Sequence, residues 1–233
     1  MTAKRPRRTA ERILDVTLAM FNRFGEPNVS TGQLCGELGI SPGNLFYHHP
    51  TREALVSALY HRYGAAAVLA LASPGGRPTT PMAAVNELVA LCERLARVAW
   101  DYRFLFRDLD DLVSRHRDLE EGLPPLLRRQ AHALQGAMAA LPWADTRSDG
   151  DTRTLWCGLL LSCLTGTAGL DGALDPREVL RGDGEQAVTR ALVRGLGLIR
   201  PALRDDAVQL LDTHLSRGAG LRADPWWLAP PRG

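Results

Sequence analysis

The sequence predicts an all-α protein in which a small N-terminal helical unit is joined to a larger helical one. Three observations carry that expectation. Leu, Ala and Arg are abundant, while the β-branched and aromatic residues that favour strands are sparse, so summed propensity points to helix. Apolar residues recur at helical spacing in one segment after another. The breaks between segments carry helix stop and start residues, namely Gly25, Gly39, Ser41-Pro42 and Pro50-Thr51. With 233 residues, 45% of them hydrophobic and 23% charged, the chain is long enough to bury a core and too apolar to stay disordered.

From Thr9, TAERILDVTLAMFNRFG puts Ile13, Val16, Thr17, Met20, Phe21 and Phe24 on one helical face, with Thr9 as N-cap and Gly25 as the stop. STGQLCGELG then opens with a capping box between Ser30 and Gln33 and closes at Gly39, which gives a helix of about two turns. Ser41 as N-cap and Pro42 in the first helical position start the next short helix. Pro50 stops it, and Thr51 caps a fourth helix running to about Leu71. Two short helices joined by a tight Gly39-Ile40-Ser41 turn and preceded by a longer one are the parts of a helix-turn-helix. Pro42, Gly43 and Asn44 then lie at an exposed helix start where small residues permit close approach to a groove, while Leu45 packs inward. SPGGRPTTP, residues 73 to 81, reads as a linker. Beyond it Met82, Val85, Val89, Cys92, Ala96 and Ala99 form a helical stripe flanked by Leu88 and Leu95. Further helices are expected over Arg103 to His116, Pro124 to Leu141, Thr152 to Gly169, Gln186 to Ile199 and Pro201 to Leu215.

Charge is uneven. Residues 1 to 60 hold seven Lys/Arg against five acids, and the remaining residues balance. Lys4, Arg5, Arg7 and Arg8 make residues 1 to 8 a basic arm suited to a polyanion, or a solvated terminus. Cys35, Cys92, Cys157 and Cys163 show no CxxC spacing and sit in apolar patterns, so they read as reduced core residues of a cytoplasmic protein. The N-terminus has no apolar secretion signal, and the uncharged run from Thr154 to Leu170 reads as a buried helix of a soluble protein. His48 and His49 point about 100° apart on a helix and have no third ligand nearby, which argues against a metal. No GxSxG, HExxH, P-loop or paired Cys set is present, and Gly195-x-Gly197 lies in a helical pattern without a preceding strand, so neither an enzyme nor a cofactor site is expected.

ILDVTLAMFNRFG, VSTGQLCGELGISPGNLFYHH and TREAL, in that order over residues 9 to 60, resemble the DNA-binding domain of the TetR/AcrR bacterial regulators. WDYRFLFRDLDDL, Trp100 to Leu112, is similar to a segment found after the linker in one branch of that family. The resemblance implies a helix-turn-helix domain over 9 to 60 and an effector-binding and dimerisation domain over 61 to 233. It also implies a homodimer on a palindromic operator of double-stranded DNA, most often as a repressor, released by a small-molecule effector. Carried over by position, Thr31, Gln33, Pro42, Gly43, Asn44, Tyr47, His48 and Arg52 contact DNA. Two positions depart from the pattern. Phe46 stands where a tyrosine gives its hydroxyl to a phosphate, and Arg52 stands where lysine is usual, offering two N–H groups in place of one.

The residues leave three questions open. Gly158, Ser162 and Gly166 recur every four residues, which suits close helix approach either at a dimer seam or within one subunit. Trp100, Tyr102, Arg103 and Phe106, together with Trp156 and Cys157, either line an effector pocket or form core packing. A helical enzyme or an interaction module without specific DNA binding is the competing functional class. Trp226-Trp227 reads as cover for an apolar edge.

Overall fold

Each short helix of the N-terminal region is fixed by its own caps. The Ser30 hydroxyl accepts from the Gln33 amide at 3.2 Å and Gln33 Oε1 accepts from the Ser30 amide at 2.7 Å, so Thr31–Leu38 (α2) starts with the expected capping box. It ends at Gly39, whose φ of 65° is left-handed, and the next amide, Ile40, donates to Cys35 O at 3.1 Å. Ser41 caps Pro42–His48 (α3) through the Asn44 amide, and Thr51 caps Arg52–Ala70 (α4) through the Ala54 amide. The computed structural model describes residues 4–72, 78–144, 150–174 and 184–216, with side chains from residue 8 onward.

The first helix is Lys4–Phe24 (α1). Thr9 therefore lies inside it and is not its N-cap, and the basic residues from Lys4 continue the helix instead of forming a separate arm. Lys and Arg are good helix formers, and Pro6 sits in the first turn, where a missing amide breaks no bond. Ile13, Thr17 and Phe21 are buried as expected, but Phe24 is exposed under the Arg23 guanidinium, one turn too far along to reach the core.

Residues up to Ala70 together with Asp101–Arg129 form one compact unit, and Leu71–Trp100 with the chain from Gln130 form a second. In the first, Ile13, Phe21, Leu34, Leu38, Leu45, Leu55, Val56 and Leu59 make the core of α1 to α4. Gly32 and Gly36 cost α2 about 1 kcal/mol each relative to Ala. Burying Leu34 and Leu38 contributes about 1.5–3 kcal/mol apiece, so packing wins.

The expected Arg103 to His116 helix is two, Arg103–Arg107 (α6) and Leu109–Arg115 (α7). The break is at Asp108, whose carboxylate leaves the helix line to accept from the Glu26 amide at 3.2 Å. Arg117–Ala139 (α8) starts well before the expected Pro124. Pro124 and Pro125 each remove one amide, but both are exposed, and buried Leu119 and Leu123 anchor the first turns.

The second unit holds Pro81–Asp101 (α5) up to Trp100, the end of α8, Gly150–Leu174 (α9), Gly184–Ile199 (α10), a 3₁₀ turn Arg200–Ala202 and Asp205–Ser216 (α11). Thr80 caps α5, and Val85, Leu88, Val89, Cys92 and Leu95 are buried, whereas Met82 is exposed. Pro201 is the second residue of the 3₁₀ turn, and Leu203 is extended and bridges Trp143, so the last helix starts later than Pro201. On α9 the buried side includes Cys157, Leu160 and Leu164, and Gly195 of α10 lets Leu160 and Cys163 approach. Asp171 closes the pair by binding Arg190 at 2.6 Å and Arg194 at 2.7 Å. The helix is long and apolar enough to cross a membrane by length and composition, and a third of that stretch is buried. The burial expected of it holds along one side only: Cys157, Leu160 and Leu164 are buried, and Leu155 and Leu159 are exposed. The middle of the linker and Trp226-Trp227 lie outside the described residues.

Candidate nucleic-acid interface

With Leu45 buried and successive residues about 100° apart around a helix, α3 turns Gly43 and Tyr47 away from the core and carries Asn44 and Phe46 on opposite flanks. Pro42, Gly43, Asn44, Phe46 and Tyr47 are all exposed, Tyr47 at 79% and Phe46 at 42%. Tyr47 and His48 meet edge to face with ring centroids 5.1 Å apart. His49 ends the helix half-buried, its Nε2 without a hydrogen-bond partner among the described residues. Burial pushes the His49 imidazole below its ordinary pKa, and neighbouring His48 pushes the same way against a hydrogen bond to the Ala10 backbone. The tip thus offers one amide, one phenol, one imidazole and an apolar ring, on a short helix whose pose is fixed by Ser41 and Leu45.

On α2, Thr31 is half-buried and Gln33 is exposed, but Gln33 Oε1 is committed to the cap. Arg52 was expected to grip a phosphate. Its Nε instead binds Glu26 Oε1 at 2.6 Å, and its terminal nitrogens donate to the carbonyls of Glu26 and Val29. The guanidinium is thus a brace on the loop that leads into α2.

Glu26 braces this region, and sequence reading did not single it out. Its carboxylate is buried and also takes Arg115 Nη2 of α7 at 2.7 Å, while its amide donates to Asp108. Arg107 Nη2 donates to Phe21 O at 2.9 Å, and Asn22 of α1 accepts from the Phe104 amide at 3.1 Å and donates to Asp101 O at 2.7 Å. Residues 22–29 are therefore held by α4 on one side and by 101–115 on the other. An acid beside Pro27 reads locally as a solvated loop residue. Its partners lie 26 and 89 positions away, so no local pattern announces them.

The effector candidates are divided between the two units. Tyr102 and Phe106 pack edge-on against Tyr63 in the first unit, and burial pushes the Arg103 guanidinium below its ordinary pKa. In the second unit Trp156 stacks on Trp143 at 5.2 Å, Cys157 Sγ lies 3.4 Å from Met138 Sδ, and Trp100 packs where a side chain at Gly184 would have to go. Gly158, Ser162 and Gly166 are exposed on α9, and a Cβ added at Gly158 or Gly166 meets nothing within 4 Å. Leu155, Leu159 and Leu170 continue that face and are exposed as well.

Comparison with known families agrees with this geometry. The profile for "Bacterial regulatory proteins, tetR family" matches residues 13–59, and that for "Bacterial transcriptional repressor" matches residues 62–146. This chain belongs to the TetR family. As a TetR-family protein it is a ligand-responsive, DNA-binding transcriptional regulator. The fold agrees with solved TetR-family structures. A TetR-family transcriptional regulator from Marinobacter aquaeolei VT8 is 22% identical and superposes with a TM-score of 0.73, over 90% of this chain and 98% of that one. Salmonella enterica GusR is 18% identical with a TM-score of 0.50, over 95% of this chain and 100% of that one. Comparison with curated protein sequences gives no significant match. Within the TetR-family frame, the segment matched by the N-terminal profile contains all eight residues assigned to DNA from the sequence.

Proposed function

We propose that this regulator is a repressor that binds a palindromic operator as a homodimer and leaves it when a small molecule binds within residues 61–233. The carrying observation is the exposed, doubly capped tip of α3. In this reading Asn44, exposed in the first turn of α3, pairs with an adenine edge, since an Asn amide matches the acceptor and donor that adenine shows in the major groove. Gly43 and Pro42 allow the backbone close, and Tyr47, His48, Thr31 and the basic start of α1 fix register on phosphates. Gln33 and Arg52 take supporting roles: the first completes the α2 cap and the second holds the loop before it.

Dimerisation is part of the same reading. One tip of this size touches too few bases to select a site in a genome, whereas two tips about 34 Å apart double the contacts. The open stripe of Leu155, Gly158, Leu159, Ser162 and Gly166 on α9 is suited to the seam, because its small residues admit a second helix and its leucines gain burial from one. No catalysis, cofactor or metal belongs to this function, and its place is the cytoplasm, where its DNA is.

Selection of the full-length protein against a random duplex pool tests the reading. The expected product is an inverted repeat whose half-sites lie about one helical turn, or a multiple of it, apart. Enrichment of a single unrepeated site, or of nothing, would overturn it.

A further inference from the structure

We propose that Cys92, Met138 and Cys157 form a site for one soft monovalent metal ion, copper(I), inside the second unit. The function proposed above calls for no metal, so this is a further site, and it does not depend on DNA binding.

Sulfur-bearing side chains from three helices come together there. Cys157 of α9 has its Sγ 3.4 Å from Sδ of Met138, near the end of α8, and both side chains are buried. Cys92 lies on the buried stripe of α5 and is wholly enclosed. Burial pushes its thiol well above the ordinary range, Arg94 pulls the other way, and Cys157 adds to the rise, which places the two thiols within electrostatic reach of each other. All three residues belong to the same compact unit.

The donor set selects the ion. Thiolate and thioether sulfur are soft ligands that suit copper(I) and not magnesium, calcium or manganese. A structural zinc takes four ligands, and the core does not supply a fourth. Among the described residues, the buried polar side chains of this unit are Gln130, Thr167 and Asp171. Along their own helices they stand about 12 Å from Met138, and about 15 and 21 Å from Cys157, too far to ligate.

Charge gives the same answer. A net charge is costly in an apolar interior, and a monovalent ion on a single thiolate is neutral. The ion takes the place of one thiol proton: the S–H bond of Cys157 breaks, a sulfur–copper bond forms, and the proton passes to water with no change of oxidation state. Met138 and Cys92 add neutral sulfur. Metal–thiolate bonds are about 2.3 Å long, which sets the sulfurs around a three-coordinate ion about 4 Å apart, so the Cys157–Met138 pair must open by roughly half an ångström. Met is unbranched and flexible enough to give that. Cys157 is also the most accessible of the three, at 3%, and its neighbour Gly158 is exposed and has no side chain to cover it, so the ion enters from α9.

The test titrates the reduced full-length protein, without DNA and without oxygen, with copper(I) held by a coloured chelator. One ion per chain should pass from the chelator to the protein, and X-ray absorption should show sulfur alone around it, at about 2.3 Å. Cys157→Ala should lose the ion, while Cys35→Ala and Cys163→Ala keep it. Met138→Leu should keep it with one sulfur neighbour fewer. No transfer to the wild type, nitrogen or oxygen among the neighbours, or an ion that Cys163→Ala loses and Cys157→Ala keeps would overturn the site. The absorption of the unmodified protein settles the ligand type by itself, so a variant that fails to fold does not shield the proposal. A protein that selects no operator yet binds copper(I) through these sulfurs would refute the regulator reading and uphold this one.

Discussion

Replacing Glu26 with Gln should loosen the reading head from a position that touches no DNA. The carboxylate is 1% exposed and takes two guanidinium contacts, Arg52 at 2.6 Å and Arg115 at 2.7 Å. Removing one partner of a buried ion pair costs about 3–5 kcal/mol when the other charge is left stranded. Here neither is fully stranded. Arg52 is 26% exposed and keeps the carbonyls of Glu26 and Val29, and Arg115 is 40% exposed and keeps Asp111. Solvent and the surviving acceptors reduce the loss to about 2–3 kcal/mol. Equilibrium urea unfolding of the full chain measures it, and hydrogen exchange at the amides of Gly25 to Leu38 shows where it falls. A double-mutant cycle adds a ranking: coupling of Glu26 to the less exposed Arg52 should exceed its coupling to Arg115. A loss below about 1 kcal/mol, or the reverse ranking, would show that the carboxylate is effectively solvated and that the brace does not hold α2.

Three further outcomes follow from particular geometries. Gly39→Ala should destabilise by about 1–2 kcal/mol because φ is 65° there, and Gly39→Asn by less, since no atom lies within 4 Å and only the backbone resists; urea titration of both variants checks the order. His49 has its pKa lowered by burial, so its neutral form stabilises the fold above about pH 6.5 and that contribution is lost as the solution is acidified below it; the drop in melting temperature on acidification should shrink in His49→Leu. Gly158→Leu should leave the helical signal of the chain unchanged while weakening self-association in sedimentation, because its side chain points into open space in one chain; an unfolded protein would contradict that opening.

How legible the protein was in its sequence depended on the range of the interaction. Ser30 with Gln33, Gly39, Ser41 with Pro42, and Thr51 act within four residues of themselves, and each helix boundary they imply is present. The α1 start was misjudged at Thr9 because a good capping residue does not oblige a helix to begin when the preceding Lys and Arg residues can also be helical. The single helix expected over 103–116 failed for a different reason: Asp108 answers an amide 82 positions back, and periodicity carries no record of that. The role of Arg52 shows the limit most sharply. Its charge and its place after Pro50-Thr51 mark it for a phosphate, and only the fold brings Glu26 within 2.6 Å to claim it. On the proposed reading, a cation already paired contributes little to counterion release, so Arg52→Ala should leave the salt dependence of operator binding nearly unchanged, and removal of the basic residues at the start of α1 should flatten it.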